Sequence, residues 1–186
     1  MRAAIVEAPD RLRVRHDVPM PRPGRFQALV RIECCATCNG TDDKLIHGGM
    51  ALEYPAILGH ESVGTVTELG PDVTGFAPGE RVLRPTAVYP GGRLGPYRSG
   101  WGGYAEWGLV TDLSAAAAAG EDAPAGRGYA RYQQKVPAGI STPDAAMAIT
   151  LKETLSWSRH LGVGAGSEVL IVGDGPVGLA FTAWVV

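Results

Sequence analysis

The sequence predicts a mainly β fold with some α: a rolled, barrel-like antiparallel domain followed by the first strand–turn–helix of an open α/β domain. Three observations carry that expectation. Short β-rich runs broken by turns fill the chain from residue 1 to about 110. A well-capped helix follows at Ser141. Residues 168–172, Glu-Val-Leu-Ile-Val, then read as a buried strand leading into a glycine-rich turn and another helix.

In chain order, residues 3–6, 28–33, 62–69 and 80–83 read as strands, because apolar and β-branched residues recur there. Pro21-Arg22-Pro23-Gly24, Gly70-Pro71-Asp72 and Ala77-Pro78-Gly79 are the breaks between them. Residues 112–131 hold an alanine run and a Gly/Pro/acidic stretch. So short an isolated helix is marginal in water, so a mobile surface excursion is expected. Residues 132–136 resume as a strand. Ser141-Thr142 then cap a helix, Pro143 suits its first turn, Asp144 complements its dipole, and Gly162 ends it. These signals divide the chain into a β domain, residues 1–150, and residues 151–186, a connecting helix with the start of a second domain.

With 186 residues, the chain is sized for one well-buried domain and a small second element. Its net charge of −2 gives no electrostatic reason to expect nucleic acid or an anionic membrane as partner. The N-terminus lacks the apolar core of a signal peptide, and no later stretch is long and apolar enough to span a bilayer. The three cysteines, Cys34, Cys35 and Cys38, form an odd local cluster. That is a poor disulfide framework, so a cytoplasmic protein is expected.

Two donor side chains stand out: Cys38, and His60 within Gly59-His60-Glu61-Ser62-Val63-Gly64. A catalytic zinc takes a soft thiolate with imidazoles or carboxylates and keeps one position open. Cys38 and His60 supply two donors, and Glu61 is the nearest carboxylate. The plainer alternative is a buried small cysteine and a satisfied core histidine. Cys35 and Cys38 also spell Cys-x-x-Cys, but no second pair exists for a four-cysteine zinc site, and a thioredoxin-type βαβ setting is missing.

Gly70 and Val73 follow, then Gly75-Phe76-Ala77-Pro78-Gly79-Glu80-Arg81-Val82, Gly102-Gly103-Tyr104-Ala105-Glu106 and the glycine run from Gly173 to Gly178. In this order and spacing the motifs resemble the zinc-containing alcohol dehydrogenases of the medium-chain dehydrogenase/reductase family, over nearly the whole chain. The resemblance implies a GroES-like rolled β-barrel for the first domain and the opening β-α element of an NAD(P)-binding Rossmann fold for the second. It implies an oxidoreductase that moves hydride between a small alcohol, sugar or polyol and NAD(P), with zinc as Lewis acid. Dimers are common in that family, which leaves a homo-oligomer open here.

The sequence departs from the family at four places. The family places Gly and then Ser or Thr directly after the ligand cysteine, and that hydroxyl begins a proton relay. Here the run is Cys38-Asn39-Gly40-Thr41-Asp42, so Thr41 is the proton-transfer candidate, one residue late. Lys44 replaces the relay histidine, and His47 reads as a solvated loop residue. The third ligand, expected on the helix before the nucleotide-binding strand, counts back to Ala148 or Ile149, and neither binds metal. Glu61 is the expected substitute, with Glu153 a turn beyond, so the predicted site is Cys38–His60–Glu61 plus water. The family's four-cysteine structural zinc lobe would fall between Val82 and Trp101, where no cysteine occurs, so a single zinc is expected.

The run Gly173-Asp174-Gly175-Pro176-Val177-Gly178 follows a strand-like stretch and opens a helix, which is the context a dinucleotide fingerprint requires. Gly173 permits the tight turn, Gly175 the approach of a pyrophosphate, and Gly178 close packing, with Pro176 and Val177 between them at the helix N-terminus. The acidic residue that selects NAD over NADP would fall beyond Val186. A lone strand and helix cannot bury their apolar faces, so Leu170, Ile171, Val172, Leu179, Phe181 and Trp184 are expected to be poorly covered. The competing reading is a non-redox binding or assembly module that has lost its cofactor half.

Overall fold

The computed structural model describes residues 1–121 and 127–185. Among the described residues nine strands form two sheets. The first runs β2 (Arg11–Arg15), β1 (Ala3–Ala8), β4 (Ala56–Ile57), β8 (Tyr97–Ser99), β7 (Arg93–Leu94). The second runs β6 (Arg81–Leu83), β5 (Glu61–Leu69), β3 (Gln27–Ala36), β9 (Trp107–Thr111). All pairings are antiparallel except β4 with β8. This is the rolled, mainly antiparallel β architecture that the turn spacing predicts.

The second sheet is covered on both faces, and the period-two alternation of its strands shows why. Ala28, Val30, Val66, Val82 and Val110 fill one core. Leu29 and Leu109 point the other way and pack with Tyr89, Tyr129 and Ala130. Where β3 meets β5 the register shifts between Ile32 and Cys34, so Glu33 bulges out. Its carboxylate accepts from the Thr65 hydroxyl at 2.6 Å and the Thr142 hydroxyl at 3.0 Å, which ties the helix start to the sheet.

That helix, α4 (Thr142–His160), has the predicted ends. Ser141 caps it by accepting from the Asp144 amide at 3.3 Å, and Gly162 follows it with φ +74°. Its Ala145, Ala146 and Ile149 pack on Val63 and Leu83. A short helix, α1 (Asp42–Ile46), follows Cys38.

The flanks of the expected mobile excursion are packed, whereas residues 122–126 at its centre lie outside the described residues. Asp112 caps α2 (Leu113–Ala118) and also holds the amides of Thr74 and Gly75 at 2.9 and 2.5 Å. Ala116 is fully buried, and α3 (Arg127–Ala130) places Tyr129 in the core. An alanine helix too short to stand alone is thus held by one carboxylate and a tertiary seat.

Two predicted strands are corrected. Residues 132–136 make only an isolated bridge, Lys135 to Val82, flanked by two backbone hydrogen bonds to β6. Residues 168–172 form no strand among the described residues. A strand exists only through a neighbour's ladder, and none flanks this run, so Leu170 and Val172 stand 89% and 91% exposed. The following helix, α5 (Pro176–Val185), does form. It packs on α4, where the Trp184 indole N–H donates to the Leu151 carbonyl at 3.0 Å and Ala180 is buried. Trp184 nonetheless stays 42% exposed, and Leu179 62%, as expected for a helix with so little to cover it.

Candidate metal and cofactor site

Cys38 and His60 arrive from different elements. Cys38 sits between the end of β3 and α1, and His60 directly precedes β5. Gly59 has φ +99°, and a Cβ there would lie 2.8 Å from Tyr104 and 2.9 Å from the Cys35 sulfur. Only glycine fits that approach, directly before His60. Trp101, itself at φ +74°, lays its ring 5.1 Å from the imidazole. A large residue held at positive φ stores strain, a trait concentrated at functional sites.

Asp42 links these parts. It is fully buried, and its Oδ2 accepts from the Cys38 amide at 3.0 Å and the Tyr104 hydroxyl at 2.7 Å. Its Oδ1 faces His60 Nδ1 at 3.6 Å, beyond hydrogen-bond length, and neither atom has a partner. Burial pushes the Asp42 carboxyl up, but the His60 ring, the Tyr104 hydroxyl and the Cys38 amide outweigh it and hold the group below its ordinary value. A carboxylate behind Nδ1 leaves Nε2 as the donor nitrogen, the arrangement that orients ligating histidines. Asp42 was missed in the sequence reading. Its signal was an acidic residue four positions after the donor cysteine, at the start of a helix.

The third expected donor is not alongside. Glu61 is buried, and its Oε1 accepts from the Thr150 hydroxyl on α4 at 2.7 Å. Glu153 is turned away and paired with Arg84. Among the described residues no three His, Cys, Asp or Glu side chains stand close enough to hold a metal ion. The donor chemistry of Cys38 and His60, with Asp42 behind the imidazole, fits two corners of a zinc site.

The remaining candidates are placed as follows. Thr41 stands at the N-cap of α1, three residues after Cys38, and its hydroxyl makes no capping bond. His47 lies on the surface against Asp10 at 2.5 Å, a contact that raises its pKa, and it takes no part in the Cys38–His60 group. The Cys-x-x-Cys reading fails on geometry and charge. All three cysteines are free, and burial pushes the Cys35 thiol up to about 12, the reverse of what a reactive thiolate needs.

At the glycine run, Gly173 has φ +127°, and a Cβ on Gly178 would lie 2.0 Å from the Gly173 carbonyl oxygen. The turn therefore closes tightly onto the N-terminus of α5. Open space surrounds Gly173 and Gly175, so backbone amides there are accessible to an anion. Pro176 and Val177 form the first turn of α5, with Val177 exposed.

Comparison with known proteins shows the family. The sequence profile of the alcohol dehydrogenase GroES-like domain matches residues 24–120. Sorbitol dehydrogenase of Homo sapiens is 30% identical over 193 residues, covering 94% of this chain and 49% of that protein. Sorbitol dehydrogenase of Halalkalibacterium halodurans is 29% identical over 163 residues, covering 87% and 46%. A protein assigned as a zinc-binding dehydrogenase from Sinorhizobium meliloti 1021, solved bound to NADP, superposes with a TM-score of 0.72 at 29% identity, covering 97% of this chain and 51% of that one. The chain thus spans about half the length of the curated relatives it matches. No helix among the described residues is long and apolar enough to cross a membrane.

Proposed function

Since the chain belongs to the alcohol dehydrogenase GroES-like domain family, we propose that it supplies the substrate-side domain of an NAD(P)-linked alcohol or polyol dehydrogenase. The observation that carries this reading is the buried Asp42, which gathers the Cys38 backbone and the His60 ring at one point. In this reading residues 1–150 are the GroES-like part, and residues 151–186 are a connecting helix and the start of the cofactor domain. Cys38 and His60 hold one zinc, with Glu61 as third ligand once it is released from Thr150. When bound, zinc supplies Lewis acidity toward a substrate oxygen, and NAD(P) supplies the hydride acceptor.

The chain's own residues do the positioning. Asp42 faces the imidazole at 3.6 Å and would orient it on metal binding, Trp101 lies against the His60 ring, and Thr41, three residues after Cys38, offers a hydroxyl for proton transfer. Gly173, Gly175, Pro176, Val177 and Gly178 present the N-terminus of α5 to a pyrophosphate. Small alcohols, sugars or polyols are the substrates of this reading, and a reducing cytoplasm is its compartment, a choice supported by the three clustered free cysteines. The names of the relatives, sorbitol and zinc-binding dehydrogenases, support it, and the binding-module alternative gains no support from them.

The deciding experiment pairs metal analysis of the purified chain with fluorescence titration by NADH and NADPH. Stoichiometric zinc together with saturable cofactor binding supports the proposal, and assays with sorbitol and simple alcohols follow. Absence of both rejects it.

A further inference from the structure

The face of α4 that carries Thr150, Thr154 and Ser158 has hydroxyls spaced four residues apart. Two of them behave as helix hydroxyls usually do, bonding back to a carbonyl one turn earlier. Thr154 donates to the Thr150 carbonyl at 3.0 Å, and Ser158 donates to the Thr154 carbonyl at 3.0 Å. Thr150 does otherwise. Its hydroxyl leaves the helix and donates to Glu61 Oε1 on β5 at 2.7 Å. Glu61 is the residue next to His60, and its carboxylate has no other hydrogen-bond donor among the described residues.

We propose that Thr150 is a positioning residue for metal loading: its hydroxyl latches the Glu61 carboxylate to α4 and keeps it out of the Cys38–His60 group until a metal ion competes for it. The inference rests on the reading that Glu61 is the third zinc ligand. It explains why three donors do not converge here although all three are within a few residues of one another along or across β3 and β5. The latch is reversible without leaving a polar group stranded. On release, the Thr150 hydroxyl can turn to the carbonyl of Ala146 one turn back, as Thr154 already does with Thr150. The ion in turn replaces the hydrogen bond that Glu61 gives up.

The latch opposes zinc with the strength of one hydrogen bond to a charged group, so its removal is worth about tenfold in affinity. The test is the zinc dissociation constant of the full chain, measured by competition with a chromophoric chelator. The proteins compared are wild type, Thr150→Val, Thr150→Ser, Glu61→Gln and the Thr150→Val/Glu61→Gln double variant, with circular dichroism as the check on folding. Thr150→Val is expected to bind zinc about tenfold more tightly than wild type, and Thr150→Ser to match it. In the Glu61→Gln background Thr150→Val is expected to change nothing. Zinc affinity in Thr150→Val equal to or below wild type overturns the latch, while weaker binding by Glu61→Gln keeps the ligand assignment. Unchanged affinity in Glu61→Gln instead overturns the ligand assignment itself. Should Thr150→Val fail to fold, Thr150→Ala takes its place under the same expectation.

Discussion

The Oδ1 atom of Asp42 lies 3.6 Å from Nδ1 of His60, both shielded from solvent and both without a hydrogen-bond partner. A small closing movement would make that bond, and a metal on the far nitrogen would favour it, because ligation draws on an imidazole whose other nitrogen is held. Asp42→Asn keeps the volume and removes the charge. Zinc affinity is expected to fall about 10- to 100-fold, with the far-ultraviolet circular dichroism unchanged. Chelator competition measures it, and an unaltered constant would exclude Asp42 from orienting His60.

Asp112 gives a pH prediction. Burial pushes its carboxyl up, but the amides of Ala115, Gly75 and Thr74 outweigh that and hold it below its ordinary value. A carboxyl lowered in the folded state contributes stability above its unfolded value, about 3.9. That contribution is lost as pH falls through the lower folded value. Asp112→Ala is expected to cost about 2–3 kcal/mol at pH 7. Urea unfolding should show the gap between variant and wild type closing below about pH 4.

Ile149 occupies a position where the resembled family draws its third ligand, yet it is only 2% exposed and packs on Val63 and Leu83. Its role is to seat α4. Ile149→Ala is expected to cost about 2–4 kcal/mol in denaturant unfolding. A cost under half of the lower figure would show that α4 is held by its ends instead.

Gly178→Ala would force a Cβ to within 2.0 Å of the Gly173 carbonyl oxygen. The turn must open, so titration with NADH or NADPH should lose saturation. The melting temperature should move little, because α5 lies at the periphery and contacts α4 alone among the larger helices. Retained cofactor binding would remove this turn from the cofactor site.

The sequence by itself determined the elements whose causes are local. Ser141, Pro143, Asp144 and Gly162 set the ends of α4, alternating apolar residues set β1, β3 and β5, and Gly178 marks a backbone position of close packing. The order of its motifs also identified Cys38 and His60 as the pair to examine. The tertiary structure decided what depends on distant partners. Residues 168–172 are strand-like in composition but meet no ladder, and the alanine run folds because Asp112 and a core seat hold it. Folding carries Asp42 to within 3.6 Å of His60, eighteen positions along the chain, and gives the Glu61 carboxylate a partner in Thr150, 89 residues away. Local signals act through backbone geometry within a turn or two, whereas a side chain's partner is chosen only when the sheets and α4 close around it.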